Sequence, residues 1–483
     1  KTQKQMTSAM TASLDNATAI ITKNYLDRLE TYNLIKPSEE DKDIDITSCG
    51  KFFKLSKLVV NKEENFLDKL TTIVNVVSAI DCSLATIIRS NGYSIDYYFG
   101  IISKNYRKET SNDAKRRAAD VAAFRGALTG NLIGSDIQEV STNEVQKFKS
   151  EVFGDINHCY SSVSGIVALR DDEEKSVEGY VQGIENLVDS LKGQKYTIVM
   201  FADPVSTSEI QIIKRGYEML HTQLSTFVRS TVTLNESDSI SLAKARTEGV
   251  TEGISKGISM TQSKTRSKGK YIGANASIGV SLGITASVGI SGGTNSGTAD
   301  MTGKTDTTTE INQKNKQVTD TVQSGKTSGK SLQLNYENRS VKTLLDRIDA
   351  HLERLDECES FGAFDCAAYV IADSRETSLA VASNYNALMR GKDSSVQASH
   401  INTWYKPEET AIISQYLSSF VHPRFSADKE SQVIVTPASI VSGNEMAIQV
   451  GLPKKSITGV TVVPMAAFGR NVVSSDEKQL VLG

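Results

Sequence analysis

Between Ser239 and Ser291 the odd-numbered positions are Ser, Thr, Gly or Ala, with Tyr271 and Asn275 the exceptions, while the even-numbered positions carry the larger side chains. The alternation is strictest where Ile272, Ala274, Ala276, Ile278, Val280, Leu282, Ile284, Ala286, Val288 and Ile290 stand against Gly, Asn, Ser and Thr. A period of two puts one set on each face of a β-strand. Globular strands usually end by about ten residues, so the pattern predicts an extended β-hairpin that finds partners in other copies of the chain. Just upstream, Lys264, Arg266, Lys268 and Lys270 share the parity of the later isoleucines. One face therefore passes from basic to apolar, and the other stays small and hydroxylated. A tip near Ser281-Leu282-Gly283 leaves two apolar arms close to the nine to eleven residues of a membrane-spanning β-strand. A tip in Ser291–Gly297 has the better turn glycines but faces the apolar arm with Thr298–Asn315, which lacks the alternation. The competing reading of the Gly/Ser/Thr composition is a linker, and a linker has no reason to keep parity.

Elsewhere the pattern predicts strands at Lys51–Val60, Ser83–Arg89 and Ser94–Ser103, the last two joined by Asn91-Gly92, with helices at Glu63–Ala79 and Ala114–Leu128 and further β at Gly134–Val140. That order is a split βαβ, ferredoxin-like unit. It recurs: Tyr160–Leu169 strand, Val177–Leu191 helix, Tyr196–Phe201 strand, Glu209–Arg229 helix, then Val341–Leu355 helix, Ala363–Asp373 strand and Glu376–Arg390 helix. Gln432–Pro437, Ala447–Val450, Gly459–Pro464 and Gln479–Leu482 read as short strands. The expected class is α+β, with ferredoxin-like α/β units at 1–155 and at 156–238 plus 335–430. A Gly/Ser/Thr-rich hairpin is inserted at 239–334, and 431–483 is expected to form a small β-module.

At 483 residues the chain has room for two to four domains, and a net charge of −3 gives no global pull toward nucleic acid or acidic membrane. Five cysteines without a C-x-x-C pair predict reduced thiols and no structural zinc. No apolar run reaches the length of a transmembrane helix, so membrane contact is expected through the hairpin only.

Catalytic patterns are missing from the sequence. Gly325-Lys326-Thr327 and Gly329-Lys330-Ser331 imitate the end of a P-loop, but Asp320 and Ser324 stand where its first glycine belongs. The five histidines form no H-E-x-x-H, and His158 and Cys159, adjacent in a strand, point to opposite faces. Asp171-Asp172-Glu173-Glu174 fits the N-terminus of the helix near Val177 better than a cation site. Arg117 and Arg125, eight apart on one helix face, are candidates for phosphate contacts, with solvated surface charge as the plainer reading. Trp404 and Tyr405 read as a surface anchor or as burial against Ile412 and Ile413. No cofactor is expected to bind these residues.

Four groups of residues then suggest a family: Phe53–Val59 with Phe66–Leu70, Tyr97–Ile101, Phe361–Tyr369, and Leu452–Ser456 followed by Phe468–Val472. They resemble the N-terminal half of bacterial ATP-binding proteins of the HerA/FtsK class, which includes the conjugative-secretion ATPases. The resemblance implies a hexameric, cytoplasmic motor that moves DNA or polypeptide, with ATP and Mg confined to a P-loop domain expected beyond Gly483. On this reading residues 1–483 are the non-catalytic assembly and conduit region, each subunit giving one hairpin to a shared β-tube. The alternative is a β-pore-forming protein that inserts the apolar hairpin, Ile272, Ile278, Val280, Leu282, Ile284, Val288 and Ile290, into a membrane.

Overall fold

The computed structural model describes residues 21–61, 64–104, 111–155, 157–168, 183–225, 228–234, 323–324, 332–337, 339–426 and 434–465. Its first half runs β1 (Gly50–Val60), α1 (Phe66–Ala79), β2 (Ser83–Asn91), β3 (Ile95–Ile102), α2 (Ser111–Asn131) and β4 (Asp136–Glu139). Strand β3 lies antiparallel between β1 and β2, and β4 pairs the outer side of β1. The order β4-β1-β3-β2 is that of the split βαβ unit. Gly92, at φ 93°, turns the β2–β3 hairpin where a side chain would strain the backbone.

The second half repeats the plan with β5 (Cys159–Ser164), α4 (Glu185–Ser190), β6 (Lys195–Val205), α5 (Thr207–Ser225), α6 (Arg339–Phe361), β7 (Ala363–Ala372), α7 (Arg375–Met389) and β8 (His400–Trp404). Its strand order is β8-β5-β7-β6, the same order as the first half. The two halves join edge to edge, β2 antiparallel to β6 from Leu84↔Ala202 to Asn91↔Lys195. Halves of the same strand order that meet through an antiparallel pair of equivalent strands are related by an approximate two-fold axis normal to the sheet. Each half also ends in a third repeat helix, α3 (Thr142–Phe153) and α8 (Pro407–Ser418), and these two touch across the axis, where Ser414 donates to the Phe153 carbonyl at 2.5 Å.

Both faces of the sheet are covered, which explains why its strands read as continuous apolar runs. Ile198, Met200 and Ala202 of β6 join one core with α1, α2, α4 and α7, while Val199 and Phe201 join the other with the two third helices. The fold is α+β, but the C-terminal residues differ from expectation. Ala447–Val450 lies inside a helix, Gly443–Val450, packed on α1, and not in a strand. So short a segment cannot separate the two by periodicity, but Ser442 with Glu445 forms a capping box. The strands around it, β9 (Ser439–Ser442) and β10 (Thr461–Pro464), extend the main sheet against β7 and β1 and do not form a separate module. The α+β units expected as separate domains likewise share one ten-stranded sheet. Residues Lys264–Lys270 and Ile272–Ile290 of the expected hairpin, Asp171–Glu174, the Gly325–Ser331 repeat and the strand expected at Gln479–Leu482 lie outside the described residues.

Candidate functional site

The place where the first half makes its tight β2–β3 turn is, in the second half, opened to admit the insertion. Strand β6 ends at Val205, and Ser206 caps α5 through its hydroxyl on the Glu209 amide while Glu209 accepts from the Ser206 amide at 2.9 Å. Helix α5 packs along α6, Ile210, Ile213, Tyr217 and Leu220 meeting Val341, Leu344 and Ile348. Beyond the helices, Arg229–Leu234 pairs antiparallel with Leu332–Glu337, from Arg229↔Glu337 to Leu234↔Leu332. The chain therefore leaves and re-enters the body at one point, at the far end of a packed helical pair.

The base of that pair is polar. Asp203 of β6 stands directly opposite Asp365 of β7. Burial alone raises the Asp203 carboxyl, but Lys104, His422 and the Ser83 hydroxyl, which donates at 2.6 Å, outweigh it and hold the group below the usual carboxylate range. His422 is stacked on Phe201 with centroids 4.3 Å apart. Its Nε2 donates to the Asp365 carbonyl at 3.1 Å and its Nδ1 accepts from the Tyr369 hydroxyl at 2.7 Å, so both ring nitrogens are used by a neutral imidazole. Burial lowers this histidine against the pull of the two aspartates. On α6, Arg354 makes a bidentate pair with Glu445 at 2.7 Å on both arms and donates to the Ile440 carbonyl at 2.8 Å. Because Glu445 caps the Gly443–Val450 helix, this pair ties the return limb of the insertion to the C-terminal segment. Among the described residues no group of three or more His, Cys, Asp or Glu is placed to hold a metal ion.

Arg117 and Arg125 do line one cavity, of about 440 Å³, together with Lys51, Cys49, Phe52 and Glu139. Their charges are engaged within the protein: Arg117 donates to the Ser48 carbonyl at 2.6 Å, and Glu139 takes both Arg125 and Lys51. Trp404 is buried and stacked on Phe425, while Tyr405 is half exposed with the Arg375 guanidinium 4.7 Å above its ring. All five cysteines are unpaired and buried. Burial pushes Cys49 up to about 11 and Cys82 up to about 12, so neither is a ready thiolate.

The stretches that resemble the HerA/FtsK class hold core positions here. Phe53, Leu55 and Leu58 are buried, Gly100 has the Phe52 ring lying where a side chain would be, and the Tyr97 hydroxyl donates to the Val450 carbonyl. Phe468–Val472 lies outside the described residues. No protein-family model matches the chain, and no curated protein matches it either. The Asp203–Asp365 base and the Arg354–Glu445 pair are not legible in the sequence, because each is made by residues far apart in the chain. The matching endings Phe201-Ala202-Asp203 and Ile371-Ala372-Asp373 were the available signal, and they point to the base of the insertion only on the β6 side.

Proposed function

We propose that residues 1–483 are the non-catalytic assembly and conduit region of a ring-shaped, hexameric translocase of the HerA/FtsK class. In this reading the inserted segments of the subunits combine as hairpins in a shared β-tube that guides DNA or polypeptide. The observation that carries the reading is the root of the insertion. A segment whose positions 239–291 keep a period of two leaves at Leu234 and returns at Leu332, held by two packed helices that fix where it emerges. An isolated hairpin is marginal in water, and closing several into a barrel removes the open edges that such long strands expose. Small hydroxylated residues on one face leave an uncharged lumen. ATP and Mg would then be used by a motor domain outside these residues, in the cytoplasm.

The test is assembly. Ile278→Asp with Ile284→Asp puts two charges on the apolar face of the tube. The ring mass measured by light scattering is expected to fall to that of the monomer, with no dye release from liposomes by either protein. Dye release by the unmodified chain, lost in the double variant while the ring persists, would instead establish the pore. There each charge meets lipid, at a cost of up to roughly 2–4 kcal/mol near the midplane, Asp toward the lower end.

A further inference from the structure

The segment Ile21–Lys23 is wedged against the helical pair that carries the insertion. Ile21 has no exposed surface and joins the α5–α6 core. Its carbonyl accepts from His351 Nε2 at 3.0 Å, and Tyr217 stacks on that imidazole with centroids 5.0 Å apart. Lys23 follows in the left-handed region at φ 52°, where a residue other than glycine is strained. The residue is 1 % exposed, and its Nζ finds no hydrogen-bond acceptor among the described residues. An ammonium carries three donors, and burying it unpaired is costly.

The groups acting on Lys23 come from each element around it. Asp365 of β7 attracts the ammonium, and Arg354 of α6, itself held by Glu445, repels it. His351 is driven by burial down to about 3 and is neutral, while Tyr25 and Tyr217, also buried, keep their protons. Burial outweighs Asp365 and pushes the Lys23 amine down to about 7.

We propose that Ile21–Lys23 is a releasable strap that, when docked, fastens α6 and the base of the insertion to the sheet, and whose hold is set by whether Lys23 carries a proton. Released into water, Lys23 regains the ordinary lysine value of about 10.4. Between about 7 and about 10.4 docking therefore expels a proton and strengthens about tenfold per pH unit. Below about 7 both states are protonated and the dependence disappears. Near neutrality the strap is close to its weakest grip, so small changes in its surroundings release or seat it. This inference does not depend on the translocase reading.

Amide hydrogen exchange on the full chain tests it, with protection factors corrected for intrinsic rates. In the unmodified protein, α6 around His351 is expected to gain up to about a hundredfold protection from pH 7 to pH 9, while β1–β3 shows no such trend. Lys23→Met keeps the apolar stem and removes the charge. Its α6 should be fully protected at pH 7 and insensitive to pH. Ile21→Ala loosens the strap without touching the charge, and should lower α6 protection at both pH values while keeping the trend. A pH-independent α6 in the unmodified protein, the same trend in Lys23→Met, or unchanged protection in Ile21→Ala would each overturn the proposal.

Discussion

Replacing residues 235–331 by a four-residue turn containing Asn-Gly leaves Leu234 and Leu332 paired as they are and shortens their connection to a length natural for a β-hairpin. The body of the protein should be stabilised by the change. Closing a loop of roughly a hundred residues costs more entropy than closing one of four by (3/2)RT times the logarithm of the ratio, about 3 kcal/mol. With a urea slope near 3 kcal/mol/M, that is a midpoint about 1 M higher. The measurement is urea unfolding of the dilute protein followed by far-UV circular dichroism, with light scattering on the same samples for mass. The shortened chain should keep the helical signal of α5 and α6 and form no ring. A lower midpoint, or helicity lost beyond what 235–331 contributed, would show that the insertion holds the helices together and refute the reasoning. A ring that survives the deletion would refute the conduit reading while leaving the fold argument intact.

Arg354→Met leaves Glu445 buried at 12 % side-chain exposure without its partner and should cost about 3–5 kcal/mol, whereas Arg354→Met with Glu445→Met should cost less than the single change. Denaturant midpoints compare the three proteins. Gly100→Ala would bring a methyl group to 2.4 Å from the Phe52 ring and should lose about 1–3 kcal/mol through overpacking of the β1–β3 core, read from the same curves. His351 is held down to about 3 by burial, against an unfolded value near 6.5. The folded state thus binds fewer protons between these values, and stability should fall as pH drops from about 6.5 toward 3. His351→Phe should flatten that part of the pH profile in thermal melts, and an unchanged slope would contradict a neutral buried ring. Asp203 is held below the usual carboxylate range, so its contribution is present above about 3.9 and is lost in more acid solution. Lys104→Met should move the onset of acid unfolding to higher pH.

Whatever depends on neighbours along the chain follows from the order of residues alone. Strand and helix periods gave β1, α1, β2, β3, α2, β6 and β7 close to their observed limits, and Asn91-Gly92 gave the turn between β2 and β3. The strand-helix-strand-strand-helix order gave the ferredoxin-like unit, because right-handed, short connections leave few other arrangements. It also marked the insertion, since parity survives in a linear string. How distant segments meet is set only in the folded molecule. Nothing in Ser83–Asn91 or Lys195–Val205 specifies that these two edges pair and fuse the halves into one sheet, because each offers a similar apolar run to many partners. Gly443–Val450 became a helix because its cap and its packing on α1 outweighed the strand-like reading of Ala447-Ile448-Gln449-Val450. The meeting of Asp203 with Asp365, of Arg354 with Glu445, and the burial of Lys23 beneath α6 arise from chain crossings whose energies are set by desolvation and by charges brought close in space, and a period read along one dimension carries no information on either.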